Sequence, residues 1–410
     1  MNFEYFIAQR LIKDKTYAKS ISSPIVTIAI IAIALGIVMM LISIATGVGL
    51  QRKIREKIAL FNGHIEISNF DNNQSQVSVK PISTQQNFYP NFKDAAEVTH
   101  IQSIAVKAGV VRTETDFEQV FVKGVGKDYQ WDVFKTYIEE GQLPDFNNKL
   151  NNEIAISRFL ANRMGYQLGN KVITYFLKNN GERVNLRSFV ITAIYNSGYE
   201  EFDKKIIFAD IRHIQRLNKW KNDEVGSFEV FVNDFDNVKN LNAKIYKNIP
   251  SNLDSISVTE KFPGIFQWIK MFDFNIIGII GIMVLVAGIN MITAILVLIL
   301  ERTQLIGMLK AMGSNNLSIR KIFMYNATYI IIKGLFWGNV IGLSILAIQH
   351  YFKIVTLNPS DYYVKFAPVY ITFQQIILLN IGTLILCVVM LWVPSYIITK
   401  IAPVKAIKFQ

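Results

Sequence analysis

The stretch FVKGVGKD, residues 121–128, places two glycines and two lysines where a phosphate loop could be sought. A phosphate loop works because backbone N–H groups and a lysine converge on the anion, in the order Gly, four residues, Gly-Lys, then Ser or Thr. Phe121 and Asp128 stand where the first glycine and the hydroxyl residue belong, so the stretch reads as a strand ending in a glycine turn. The chain is not expected to bind ATP itself. The histidines His64, His100, His213 and His350 are far apart and lack metal-ligand spacing, so each reads as a loop or interface residue. Neither a G-x-S-x-G elbow nor an H-E-x-x-H pair is present. No catalytic, cofactor-binding or metal-binding residue is nominated, and an intrinsic enzyme is not expected.

Bulk composition points to a different kind of work. Of 410 residues, 51% are hydrophobic and only 18% charged, with a mean hydropathy of +0.27. Four stretches, 25–50, 272–300, 322–352 and 370–398, exceed the roughly 18 apolar residues that nominate a membrane helix. The first is too long for a removable signal peptide and has no small-x-small cleavage site after it, so it reads as a retained span. The net charge of +12 has no nucleic-acid recognition motif beside it. Its simpler source is the excess of Lys and Arg on the cytoplasmic side of membrane proteins. The single cysteine, Cys387, permits no disulfide within the chain.

Charge also orients the spans. Arg10, Lys13, Lys15 and Lys19 precede the first; Arg302, Lys310, Arg320 and Lys321 lie between the second and third; Lys400, Lys405 and Lys408 follow the fourth. These segments share one side, which places both termini in the cytoplasm. The basic run QRKIREK, 51–57, opposes this assignment, but it opens a long loop, and long loops translocate largely regardless of charge.

The expected organisation follows. Residues 1–24 form a cytoplasmic amphipathic helix, with Phe3, Phe6, Ile7 and Leu11 at helical spacing. Residues 51–271 form an α+β extracytoplasmic domain between the first and second spans. Its strand-like segments include HIEIS, QVSVK, QVFVKGV, KVITYFL, SFVITAIY, KIIFA, FEVFV and SISV, and its helical patches ISRFLANRMGYQ and DIRHIQRLNKW. Residues 301–321 are cytoplasmic, 353–369 form a periplasmic loop and 399–410 a cytoplasmic tail. The fold class is a membrane protein of four transmembrane α-helices with a large α+β extracytoplasmic domain.

One polar segment between spans demands a purpose. On a helix, Leu305, Met308, Leu309 and Met312 of ERTQLIGMLKAMG form an apolar stripe, opposite Thr303, Gln304, Gly307, Lys310 and Ala311. Gly307 is expected as a notch facing away from that stripe, Gly313 as the stop, and Ser314 as the cap of the next helix. Such a helix is either a lever for a soluble partner or a helix resting on the lipid surface. Within the third span, Lys333 must snorkel, pair or face a polar cavity.

ERTQLIGMLKAMGSNNLSIRKIF resembles the coupling-helix signature of FtsX/MacB-type ABC-transporter permeases, approximately E-R-x-x-E-I-G-I-L-K-A-x-G. Glu301, Arg302, Ile306, Gly307, Leu309, Lys310, Ala311 and Gly313 match it, Met308 lies among them, and Leu305 replaces an acidic residue. The resemblance covers essentially the whole chain, including Pro394, Pro403, Ala406 and Ile407 of the tail. LNPSDYYVKFAPVYI and FNGHIEIS are similar to the lipoprotein-releasing LolC/LolE branch.

The resemblance implies an inner-membrane permease paired with a second copy or paralogue above a cytoplasmic ATPase dimer, which would hold ATP and Mg. It implies that ATP-driven motion of the cytoplasmic helices passes to the outer domains, and that a lipoprotein leaves the membrane for a periplasmic carrier. In LolC a β-hairpin grips that carrier; the matching turn here is Lys178, Asn179, Asn180, Gly181, Glu182 and Arg183. Acyl chains would enter between the first and second spans of the paired permeases. The adaptable apolar residues suited to that are Met39, Met40, Ile44, Val48, Ile277, Ile280 and Met283, with Leu378 and Ile385 as contrasting positions outside it. Efflux, control of a cell-wall hydrolase, and a receptor or scaffold without transport remain the alternatives.

Overall fold

The computed structural model describes residues 3–13, 22–73, 75–93, 95–146, 150–177 and 184–396. The expected carrier turn, Lys178–Arg183, and the tail residues Pro403, Ala406 and Ile407 lie outside the described residues. In chain order the helices are α1 (Phe3–Lys13), α2 (Ser22–Asn62), α3 (Trp131–Phe134), α4 (Arg158–Met164), α5 (Glu200–Asp203), α6 (Ile211–Asn218) and α7 (Val238–Asn248). They continue as α8 (Val258–Lys261), α9 (Pro263–Glu301), α10 (Thr303–Ala311), α11 (Asn316–Phe352), α12 (Pro359–Tyr362), α13 (Phe373–Met390) and α14 (Trp392–Ser395). The strands are β1 (Ile65–Asn69), β2 (Ile82–Ser83), β3 (Val98–Arg112), β4 (Phe117–Val125), β5 (Ile138–Gly141) and β6 (Glu153–Ser157). After them come β7 (Lys171–Leu177), β8 (Val184–Tyr195), β9 (Ile206–Asp210), β10 (Glu224–Val225), β11 (Ser227–Val232) and β12 (Leu253–Ser257).

The chain divides into a helical unit, residues 1–51, 269–356 and 366–410, and an α/β unit, residues 52–268 and 357–365. Among the described helices, α2, α9, α11 and α13 are long and apolar enough to cross a membrane. The helix of the first span does not stop at residue 50. It runs on to Asn62 because QRKIREKIALFN is built of good helix formers, with Arg52 and Glu56 paired at i,i+4 over 2.8 Å. α9 begins ahead of its apolar run, at Pro263, a residue suited to a first helical turn. The fourth span is shorter than expected. α13 ends at Met390, since Pro394 cannot donate a backbone hydrogen bond and would crowd the carbonyl four residues before it.

Within the helical unit, α11 carries Gly334, Gly338 and Gly342 at four-residue spacing, against Ile33, Ile37 and Leu41 of α2. A Cβ added at Gly338 would lie 2.7 Å from the Ile37 Cβ and 2.9 Å from the Ala34 carbonyl oxygen. Small residues in such a row let two membrane helices approach closely. The reciprocal amide pair Asn339–Asn380, at 2.6 and 3.0 Å, links α11 to α13.

The α/β unit centres on a ten-stranded mixed sheet ordered β12-β1-β11-β3-β4-β9-β6-β8-β5, with β7 pairing β3 and β8. β4–β9 and β6–β8 are parallel. One core buries Ile65, Val122, Ile156, Phe189, Ile207 and Phe228. A second, aromatic core gathers Phe134, Tyr195, Phe202 and Phe208 around Phe61, whose ring centroid lies 4.1 Å from that of Phe202. The expected strand QVSVK does not form. Its Ser78 N–H donates to Val106 O at 2.9 Å and its hydroxyl accepts from Val106 N, but a two-sided contact at one residue is not a ladder.

The connector expected as a plain loop over 353–369 is partly structured. Residues 357–365 belong to the α/β unit and include α12. The Lys57 ammonium donates to the Tyr363 carbonyl. The Tyr363 ring meets Tyr199 and Trp268 edge-on, at 5.1 and 5.7 Å.

Candidate functional site

α10 is the cytoplasmic candidate of the sequence. Its end is built as a glycine stop: Gly313 has φ +89°, and the N–H groups of Gly313 and Ser314 donate to Lys310 O and Leu309 O at 3.0 and 2.9 Å. The cap of α11 is Asn315, not Ser314; the Asn315 side chain accepts from Ser318 N at 2.7 Å. The faces also differ from expectation. Ile306, Gly307 and Leu309 are buried, while Met308 and Met312 are exposed. Gly307 is thus not an outward notch, because the chain's own core, with Ile319, Ile322 and Phe323 of α11, covers that side. The outward face carries Glu301, Gln304, Met308, Ala311 and Met312; Arg302 and Lys310 are half-buried.

α1 does not stand apart from this helix pair. Ala8 is buried in the same core. The Ser318 hydroxyl donates to Glu4 at 3.0 Å, and Tyr5 meets Tyr325 edge-on at 5.8 Å. Arg320 donates to the Ser395 hydroxyl at 3.1 Å and to the Trp392 carbonyl at 3.3 Å, tying α11 to α14. α1, α10 and the first turns of α11 therefore form one packed cluster. Lys333 is exposed on α11, its ammonium 4.7 Å from the ring centre of Tyr329, one turn nearer the α11 N-terminus.

The second candidate site lies among the spans. A groove of about 450 Å³ is walled by Ile44 and Val48 of α2, Ile277 and Ile280 of α9, and Leu378 and Leu386 of α13. Four of the seven residues nominated for an acyl cavity line it. Met39 instead faces outward, Met40 is buried in the core, and Met283 packs against that core. Leu378, chosen as a contrast, is a groove residue because α13 forms the third wall. Ile385 is not part of the lining. Asp273 and Gln375 line the groove as well.

The phosphate-like stretch holds a different chemistry. Phe121–Val125 lie in β4, and Lys123 is buried. Its ammonium donates to Glu229 Oε1 and to the Phe61 carbonyl, each at 2.6 Å, while Gln102 serves Glu229 Oε2 at 2.8 Å. Burial lowers the Lys123 pKa, and the Glu229 carboxylate opposes that shift. Asp203 is held by Ser197 and the Gly198 amide, yet burial pushes it up to about 6.

His64, His100 and His213 lie in the α/β unit, and His350 lies in α11 of the helical unit. His64 accepts from Val232 N at 3.0 Å, and burial pushes its pKa down to about 4. His100 and His213 bond the carbonyls of Asp128 and Asn151 at 2.8 and 2.7 Å. His350 meets the Tyr351 ring edge-on.

Neither the buried pair Lys123–Glu229 nor Asp203 was visible from spacing. The glycine row of α11 did carry a signal, small residues every fourth position in KGLFWGNVIGL.

Four candidate spans among the described helices, an α/β unit largely between the first and second, and a short helix between the second and third give a multi-pass membrane architecture. Residues 26–247 match the MacB-like periplasmic core domain, and residues 277–403 match the FtsX-like permease C-terminal domain. The chain belongs to the FtsX/MacB family of ABC-transporter permeases. It is 23% identical over 430 residues to the lipoprotein-releasing system transmembrane protein LolC of Haemophilus influenzae, across 100% of both chains. It is 22% identical over 432 residues to LolC of Neisseria meningitidis, again across 100% of both, and 18% identical over 421 residues to LolE of Haemophilus influenzae, across 99% of both. Membership makes the chain a membrane subunit of an ABC transporter and implies an ATPase partner and a paired permease.

Proposed function

We propose that this chain is the permease of a transporter that releases lipoproteins from the bacterial inner membrane to a periplasmic carrier, driven by a cytoplasmic ATPase dimer. The full-length match to LolC proteins carries this reading. The groove of α2, α9 and α13 supports it, since apolar walls suit acyl chains and a groove among spans can admit them from lipid. Both termini lie in the cytoplasm in this reading, on the side of the basic segments.

α10 receives the ATPase through its outward face, and the motion passes along α2 and α9, which continue without a break beyond their apolar stretches. ATP and Mg sit on the ATPase; this chain performs no covalent chemistry. Glu301, Arg302 and Lys310 supply charge at the docking surface, and Met308, Ala311 and Met312 its apolar contact. Carrier contact falls on the β7–β8 hairpin, whose described ends expose Leu177, Val184 and Leu186. Exposed apolar side chains on a strand pair suit a protein partner.

Photocrosslinkers at Ile44 and Ile277 test the reading. They capture a lipoprotein without ATP and lose it during hydrolysis, while Ile385 captures none. Absence of lipoprotein at every position, with normal ATP turnover, would favour efflux or hydrolase control instead.

A further inference from the structure

The groove of α2, α9 and α13 is apolar along most of its lining, but it also carries a carboxylate. Asp273 lies four residues before Ile277 on α9, near the start of the apolar run, and Gln375 lies in the first turn of α13. Gln51, at the end of the apolar part of α2, donates through Nε2 to Asp273 Oδ1 at 2.8 Å and to the Ile269 carbonyl at 3.2 Å. The carboxylate is therefore fixed by a neutral amide. Among the described residues no ion pair includes Asp273, although Lys270 lies one helical turn away. Gln375 is fixed too: its Oε1 accepts from Thr372 N at 2.9 Å in the capping box of α13.

A carboxylate beside an apolar groove loses hydration whenever an amphiphile fills that groove, and this is unfavourable unless the occupant brings a cation. An anionic head is repelled there, and a neutral head leaves the charge unanswered. A primary ammonium meets the need, because it has several donors for Asp273 and for the second acceptor site of Gln375 Oε1.

We propose that Asp273 recognises a primary ammonium on the head of an acylated molecule whose chains occupy the groove. This rests on the lipoprotein reading and applies to a lipoprotein whose lipid-modified N-terminal cysteine keeps its α-amine free, that amine being the ammonium. An aminoethyl-phosphate lipid carries the same group.

The test uses the full chain in phosphatidylcholine nanodiscs with a photocrosslinker at Ile280. The probes are a diacylglyceryl-cysteinyl peptide lacking lysine, with a free α-amine, and its N-acetyl twin. The free amine is captured about tenfold more strongly, as expected for a charged hydrogen bond. Asp273→Asn abolishes the preference, and Asp273→Glu keeps it. Equal capture of the twins by the wild type, or a preference surviving in Asp273→Asn, overturns the ammonium site while leaving the lipoprotein reading intact. Discs containing phosphatidylethanolamine separate the two sources. If that lipid crosslinks in an Asp273-dependent way and neither peptide does, the ammonium site holds and the lipoprotein reading fails. If no probe crosslinks in an Asp273-dependent way, the proposal fails.

Discussion

The Lys123 ammonium lies 2.6 Å from the Glu229 carboxylate and 2.6 Å from the carbonyl of Phe61, the penultimate residue of helix α2 run out from the first span. One buried cation thus joins β4, β11 and the C-terminal end of that helix, where carbonyls lack intrahelical partners. The end of α2 is thereby held within the α/β unit by two kinds of contact. Phe61 supplies the apolar half of that attachment and Lys123 the polar half.

Removing one partner of a buried pair leaves the other charge unanswered. Lys123→Met should therefore destabilise the α/β unit by about 3–5 kcal/mol, and Lys123→Met with Glu229→Gln should recover much of the loss. Thermal unfolding of the full chain in detergent measures both. A double variant no better than the single one would show that the pair is not the source of the cost.

Asp203 gives the stability a pH signature. Its folded pKa is raised to about 6 by burial, above its ordinary 3.8. A raised carboxyl contributes stability that is complete below the unfolded pKa and lost as pH rises through the folded one. Between roughly pH 4 and 7 the wild type should lose about 3 kcal/mol that Asp203→Asn does not lose. Melting both proteins across that range reads the difference; parallel curves would contradict it.

Gly338→Leu should separate α2 from α11. Overpacking of this kind costs about 1–3 kcal/mol or more, and Gly281→Ala on α9, where nothing lies within 4 Å of an added Cβ, should be neutral. Disulfide trapping between cysteines placed on α2 and α11 reports the separation. Trapping unchanged by Gly338→Leu would refute the close approach.

Met308→Asp and Met312→Asp should each weaken ATPase co-purification roughly five- to thirtyfold without unfolding the chain, since both side chains are exposed. Ile306→Asp, on the buried side, should instead lower the melting temperature. The reverse pattern would move the docking face to the other side of α10.

Much of this architecture was legible because it depends on local pattern. Apolar runs marked the spans, alternation in HIEIS and KVITYFL marked β1 and β7, and Gly313 marked the end of α10. The facing of α10 was not legible, because its periodicity defines a stripe without saying what covers it; packing against α11 decided that Ile306 and Leu309 turn inward. Lys123 and Glu229 stand 106 residues apart, and only the sheet order makes them neighbours. The groove was half-visible: its α2 and α9 walls have an adaptable apolar character, whereas the third wall, α13, offers apolar side chains on its groove face and its outward face alike.

The central claim is that ATP hydrolysis by a partner on α10 expels a lipoprotein held among α2, α9 and α13. Proteoliposomes containing the full chain, its co-purifying ATPase and permease partner, and a radiolabelled lipoprotein test it in one measurement: soluble lipoprotein bound to an added periplasmic carrier, with and without ATP. The account predicts release that requires ATP and is lost with Met308→Asp. Normal ATP turnover with no lipoprotein released, or equal release without ATP, would contradict it.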